Sequence, residues 1–408
     1  MTAPFCGTLA LFLCNVQYAR SRIHLDPDAL RNVSELITSK GYPVEEHTVV
    51  TRDGYLLRIQ RIPHGRNDSA ANYTGEKKPP VLVLHGTAMS SADFVLNFPH
   101  QSLGFLLADA GYDVWLGNFR GNVYTSHTRF ARSDQAFWRF SFDEIIKYDL
   151  PATIDAVLNL TQREKLQYIG WSQGSQVLFG LLSERPEYNS KVKILSRFVT
   201  TKTSKHTHAY IYISLPLQRP LAFAYVQNFW RLTGSGGIMV NTELTKLMAR
   251  LLCGNDFTVD ICIAAVAVFN GIDWNQLNIS RLSVYLSHDP SGTSVRNIYH
   301  LTQLIRCNCF RKYDYGLLLN LLVYRTRWPP SYLLQRVRVP VALYQSPGDW
   351  YADPRDVARL RAELPNVVHR YTVPERQFTH YDFVVGTGAA EVLYGEMIRF
   401  MDQYLYST

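Results

Sequence analysis

The chain has 408 residues, of which 47% are apolar and 13% aromatic, enough for a large core and too many for a disordered or low-complexity protein. Its formal charge of +8 is spread along the sequence without a lysine or arginine tract, which speaks against a nucleic-acid partner and leaves attraction to an anionic lipid surface open. After the N-terminal stretch no apolar run reaches the length of a membrane span, so no transmembrane segment is expected there.

The N-terminal stretch "MTAPFCGTLALFLCNVQYA" has an apolar run from Leu9 to Leu13 and a small residue, Ala19, placed for cleavage. It reads as a signal peptide over residues 1–19, with a short uncleaved anchor as the alternative. Residues 43–61 alternate in two runs about Asp53-Gly54, which predicts a hairpin, and residues 65–79 are polar, which predicts a surface loop. Short apolar strands then alternate with amphipathic helices: "VLVL" at 81–84, a helix near Leu103 to Ala110, "DVWL" at 113–116, and one helix before Pro151 with another after it. Such alternation predicts a parallel sheet with helices on both faces.

The next unit, "KLQYIGWSQGSQVLFGLLSE" at 165–184, is a short buried strand, a turn and a helix, with Ser172 on the turn between Gly170 and Gly174. Strand and helix pass closely only if the flanking residues lack a Cβ, and the serine is forced into a strained conformation. The pattern G-x-S-x-G in this context is the nucleophile elbow of the α/β-hydrolase fold. A serine nucleophile needs a base and a group to orient it, arriving in the order Ser, Asp or Glu, His on loops after later strands. After "VPVALY" at 339–344 the loop offers Asp349, Asp353 and Asp356. Asp353, before Pro354, reads as a helix cap and Asp356 as a first-turn acid, which leaves Asp349 for the orienting role. After "VVHRYTV" at 367–373 the loop's histidine is His380. For the oxyanion, one N–H is expected from Gln173 and the other from Thr87, in the "HGT" turn that follows "VLVL".

The strand–helix alternation breaks between about 195 and 315, where the sequence is helical and aromatic, and "ICIAAVAVF" at 261–269 reads as a buried helix. It resumes up to a final helix around Val392 to Tyr404. The expected organisation is therefore an α/β-hydrolase core over 20–194, an inserted, mainly helical cap over 195–315, and a second core part over 316–408. Cleavage of the leader would remove Cys6 and Cys14; Cys253 and Cys262 could bridge, whereas Cys307 and Cys309 stand too close in sequence to pair comfortably. Sequons at Asn32, Asn67, Asn72, Asn159 and Asn278 suit an exported glycoprotein.

Long blocks across the expected mature chain resemble the acid lipase family, the gastric and lysosomal lipases and their invertebrate relatives. They run from "GYPVEEHTVVTRDGYLLRIQRIP" through "SLGFLLADAGYDVWLGNFRGN", "FWRFSFDEIIKYDLPATID", "GWSQGS" and "NISRLSVYLSHDPSGTSVRN" to "GDWYADPRDV" and "HYDF". The resemblance implies a triad on Ser172, Asp349 and His380, oxyanion donors on Thr87 and Gln173, and a cap disulfide between Cys253 and Cys262. It also implies hydrolysis of neutral lipid esters, triacylglycerols and steryl esters, by a secreted or lysosomal enzyme that needs no cofactor and no metal. Phe223, Tyr225, Phe229 and Trp230 are expected to line the cap's acyl site. The chain departs from the family in Thr87, Ser175, the Cys307/Cys309 pair, and above all at residues 194–220, polar and basic in the first half where the family has a small-residue apolar strand. There either "AYIYISL" takes over as the strand after an added basic loop, or the segment is translated intron. The competing functional readings are a non-catalytic lipid-binding or carrier protein that keeps the fold, and an esterase for small soluble esters.

Overall fold

The computed structural model describes residues 26–67, 78–198, 236–271, 273–352 and 354–406. The expected leader, Asn72, Asp353, "AYIYISL" and the four cap aromatics lie outside these residues. Strands β1 (Glu45–Val50) and β2 (Tyr55–Ile62) form the predicted antiparallel hairpin, with Gly54 at φ +97° in its turn, where a side chain would be strained. The main sheet continues through β3 (Pro80–Leu84), β4 (Asp113–Leu116), β5 (Thr125–His127), β6 (Leu166–Trp171) and β7 (Val192–Phe198). A small sheet is formed by β8 (Gly237–Ile238) and β9 (Thr293–Ser294), and the main sheet closes with β10 (Val341–Gln345) and β11 (Val367–Thr372). The spatial order is β1-β2-β4-β3-β6-β7-β10-β11, with β5 on β2 and every pair from β4 to β11 parallel.

A parallel sheet is covered on both faces, so its strands read as continuous apolar runs. In β3, Val81 and Val83 face one core with helices α1 (Val33–Ser39) and α2 (Leu103–Asp109), while Leu82 and Leu84 face the other. That second core is filled by α3 (Leu150–Thr161), through Ile154 and Val157, and by α4 (Gln173–Glu184), through Val177, Leu178, Leu181 and Leu182.

Two expectations about elements change. The helix before Pro151 and the helix after it form one helical course: a turn at Phe142–Glu144 runs through a π-helical turn, Ile145–Asp149, into α3, and the widened turn accommodates the proline ring without ending the helix. The strand after the elbow helix is β7, "VKILSRF", hydrogen-bonded between β6 and β10; it includes the start of the segment expected to depart from the fold and runs past the boundary expected at 194.

Beyond β7 the described chain is mainly helical: α5 (Glu243–Cys253), α6 (Val259–Asn270), α7 (Leu282–His288), α8 (Val295–Cys307) and α9 (Leu317–Tyr324). A disulfide joins Cys253 to Cys262 across α5 and α6, with Cα atoms 5.6 Å apart. In α6, Ile263 and Val266 are buried but Ile261 is exposed, so this helix is covered on one face and not all round. Cys307 and Cys309 are also disulfide-bonded, against expectation. The intervening Asn308 adopts a left-handed conformation (φ 50°, ψ 45°) that folds the chain back and brings their Cα atoms to 5.2 Å. Helices α10 (Pro354–Glu363) and α11 (Gly395–Tyr406) complete the fold. No helix among the described residues is long and apolar enough to cross a membrane.

Candidate active site

Ser172 sits between β6 and α4 at φ 54° and ψ −121°, a combination that an L-residue adopts only when its surroundings enforce it. The surroundings are tight. A Cβ on Gly174 would lie 2.4 Å from the carbonyl oxygen of Leu84, and one on Gly170 would lie 2.7 Å from the backbone nitrogen of Ser175. The turn is also tied from within, since the Ser175 hydroxyl donates to the Gly170 carbonyl and the Tyr168 hydroxyl donates to the Gly174 carbonyl at 2.7 Å. Ser175, unusual by resemblance, thus clamps strand to helix.

Gln173 is the first residue of α4, where a backbone N–H has no partner within the helix. Its buried side chain forms a reciprocal amide pair with Asn297 of α8: Nε2 donates to Asn297 Oδ1 at 3.0 Å, and Asn297 Nδ2 donates back at 3.2 Å. The turn carrying Thr87 runs beside the serine, because a Cβ on Gly86 would come within 3.0 Å of Ser172 Cβ. His85 holds that turn. Its Nδ1 donates to the Gly86 carbonyl at 2.7 Å, and its Nε2 accepts from the Phe119 N–H at 3.1 Å. Burial pushes its pKa down to about 4, which keeps the ring neutral in the tautomer these two bonds require. Ala88 follows in a left-handed conformation, and its carbonyl accepts from Ser291 N–H at 2.6 Å, pinning the turn to the segment between α7 and β9.

Asp349 and His380 come together from the loops after β10 and β11: His380 Nδ1 is 2.8 Å from Asp349 Oδ2, and both are buried. The other oxygen, Asp349 Oδ1, accepts the N–H groups of Tyr351 at 2.8 Å and Ala352 at 3.0 Å, so the carboxylate is fixed before it meets the ring. The imidazole contacts the tilted rings of Trp171 and Tyr351, at 5.3 and 5.0 Å between centroids, which places it beside the residue preceding Ser172.

Several polar residues around the site were not legible in the sequence. Asn297, His85 and the buried Arg120 are the main ones. Arg120 forks onto Asp53 at 2.7 and 2.9 Å, binds Asp149 through Nε at 2.8 Å, and lies over the Tyr55 ring at 4.0 Å, fastening the loop after β4 to the hairpin. Tyr381, next to His380, donates its hydroxyl to Asp289 at 2.7 Å. Asp289 and the neighbouring Asp93 are both buried, and desolvation and their mutual repulsion hold the Asp93 carboxyl well above the usual range. Among the described residues, no group of three or more His, Cys, Asp or Glu side chains is placed to hold a metal ion.

A strained serine on a strand-to-helix turn, a parallel sheet and a carboxylate–imidazole pair on the following loops define an α/β-hydrolase. The description "alpha/beta hydrolase fold" matches residues 79–210, and "Partial alpha/beta-hydrolase lipase region" matches residues 33–98. A candidate lipase from Sulfolobus solfataricus superposes with a TM-score of 0.57 at 13% identity, covering 88% of this chain and 99% of that one, a likeness of fold. Gastric triacylglycerol lipase of Bos taurus is 37% identical over 382 residues, 93% of each chain. Lipase member K of Homo sapiens is 35% identical over 390 residues, 95% of each chain. A Crotalus adamanteus protein provisionally named lysosomal acid lipase/cholesteryl ester hydrolase is 35% identical over 390 residues, 95% of this chain and 94% of that one. The chain belongs to the acid lipase family, that of the gastric and lysosomal lipases, and is by that membership a carboxylic ester hydrolase.

Proposed function

We propose that the chain hydrolyses neutral lipid esters, triacylglycerols and steryl esters, through an acyl-enzyme formed on Ser172. In this reading His380 takes the serine proton through Nε2 as the hydroxyl attacks the ester carbonyl, and Asp349 holds the imidazole in the tautomer that leaves Nε2 free to do so. The tetrahedral oxyanion is held by the backbone N–H groups of Thr87 and Gln173, the first on the turn that His85 fixes and the second at the free N-terminus of α4. His380 then protonates the departing alcohol and activates water to release the fatty acid. The observation that carries the reading is the strained Ser172 between two glycines that tolerate no Cβ. The names of the relatives, triacylglycerol lipase and lysosomal acid lipase/cholesteryl ester hydrolase, support the substrate class and a secreted or lysosomal location. Exposed Asn32, Asn67 and Asn159 and the half-exposed Asn278 support export, since each is accessible to glycosylation.

The test is fatty-acid release from emulsified triolein and cholesteryl oleate across acid to neutral pH, with Ser172→Ala alongside. Release by the wild type and its loss in the variant are expected; no release by a folded wild type would sink the proposal.

A further inference from the structure

Helix α9 is built inside out. A short helix on a water-soluble protein buries its apolar stripe and turns its polar residues outward. In α9, "LLLNLLVY", Leu317, Leu318, Leu319, Leu321, Leu322 and Val323 are all exposed, Leu318 to 80% and Leu322 to 69%, and the fully buried residue is the polar Asn320. At 100° per residue the exposed apolar side chains cover roughly two thirds of the helix circumference. The helix is held to the protein by polar bonds. Asn320 Nδ2 donates to Asp314 Oδ1 at 2.7 Å and to the Arg327 carbonyl at 3.1 Å, and its Oδ1 accepts the Tyr315 N–H at 3.0 Å. The Tyr324 hydroxyl donates to the Tyr313 carbonyl at 2.9 Å.

Two cations follow the C-terminal end of the helix, and one acid precedes its start. Arg325 and Arg327 follow the helix and are exposed, and the Arg327 guanidinium lies 5.4 Å over the ring of Trp328, itself 60% exposed. The nearby acid, Asp314, is taken up by Asn320 and by the Gly316 N–H at 2.9 Å. An exposed apolar helix face edged by arginine and tryptophan fits the boundary between acyl chains and headgroups, where apolar side chains enter the hydrocarbon, tryptophan sits at headgroup level and guanidinium meets phosphate or carboxylate. A folded protein partner would instead need a groove matching this face. With eight residues the helix spans ~12 Å, too short to cross a bilayer, so it would lie in the plane of the surface.

We propose that α9 with Arg325, Arg327 and Trp328 is a docking element for a lipid surface bearing anionic headgroups. Its purpose rests on the lipid-ester reading, but the binding is separable from the chemistry. The segment leading into α9 is hydrogen-bonded to a helix that also touches the site. Gln303 of α8 pairs reciprocally with Asp314, donating to its carbonyl at 2.7 Å and accepting its N–H at 2.9 Å, and the same helix carries Asn297, the partner of Gln173.

The experiment is flotation of the full chain, in a Ser172→Ala background, with phosphatidylcholine vesicles that contain or lack phosphatidylserine. Binding is expected to favour the phosphatidylserine vesicles. It should fall at least ~10-fold in Leu318→Asn/Leu322→Asn, whose exposed side chains are dispensable for folding, and Arg325→Gln/Arg327→Gln should abolish the preference for anionic lipid. Undiminished binding by the leucine variant, or no vesicle binding by the parent, overturns the proposal. So does a leucine variant that turns a dimer into a monomer in sedimentation without changing vesicle binding, since the face would then be a protein interface. The same substitutions on the Ser172 chain, assayed on a soluble short-chain ester, separate the two readings: no turnover by any of them would count against the esterase chemistry and leave the vesicle result standing.

Discussion

At the scale of single residues, the site is a set of side chains whose freedom has been removed. Asp349 shows this best, because two backbone N–H groups hold one of its oxygens while the other meets His380. Asp349→Asn is therefore expected to keep the fold but present an amide to the ring and favour the wrong tautomer, lowering kcat by about 10⁴-fold. Asp353→Asn should leave turnover within a few-fold of wild type. Kinetics of the two variants on one soluble ester check the assignment, and the opposite ranking would reverse it. The order of the residues along the chain and their loop positions made the contact between Asp349 and His380 legible. The role of His85 was not, since a histidine after a strand looks the same in sequence whether it faces solvent or closes a buried turn.

Among elements, the coupling between α4 and α8 depends on one reciprocal amide pair, Gln173 with Asn297. Truncating Asn297 strips the buried Gln173 amide of this partner, and truncating Gln173 leaves Asn297 Oδ1 without it while Nδ2 keeps its bond to Thr293 at 3.0 Å, so each single alanine variant is expected to cost about 1–3 kcal/mol. The double variant should cost less than their sum, by about 1 kcal/mol or more. A denaturant-unfolding double-mutant cycle measures this, and strict additivity would show that the pair does not couple the helices. Strands β3, β4, β6 and β10 could be read from the sequence because strands buried on both faces must be short apolar runs flanked by loop residues, and the edge strand β11 because its residues alternate between half-buried and exposed. The helical course through Pro151 could not, because the π-helical turn that admits the ring has no distinctive composition. Nor could β7, whose Lys193 and Arg197 disguise a strand that alternation would otherwise reveal. The Gln173–Asn297 pair was equally hidden, because its members lie far apart in sequence and neither belongs to a motif.

For the whole molecule, the buried ionisable groups set a pH response with two opposing parts. Burial holds His85 and His288 down to about 4 and His300 to about 3; each binds a proton more tightly when unfolded, so each favours stability as pH rises toward the ordinary imidazole value of 6.5. Burial pushes Asp143 up to about 6 and Asp382 up to about 7 from 3.8, so both bind protons more tightly when folded. Their stabilisation is complete below 3.8 and is lost as pH rises through the folded value. The two sets offset each other on the acid side, and above 6.5 the histidines no longer oppose the continuing fall of the Asp382 contribution. Asp382→Asn mimics the neutral carboxyl and can still accept the Thr379 N–H, at 2.6 Å in the wild type. Relative to wild type, this variant is expected to gain thermal stability between about pH 5 and about pH 8. Melting curves at the two pH values check it, and a constant difference between the proteins would remove Asp382 from the account.

The pairing of β7 with β10 carries a consequence for how the molecule comes into being. These strands are hydrogen-bonded neighbours, yet the intervening described segments lie off the main sheet, so β10 can join only after that whole stretch has been synthesised. The elbow serine belongs to the half made first, while Asp349 and His380 arrive with the last two strands. On the proposed mechanism, a nascent or truncated chain that stops short of β10 would hold Ser172 without Asp349 and His380, so esterase competence would come only once the last two strands have been made.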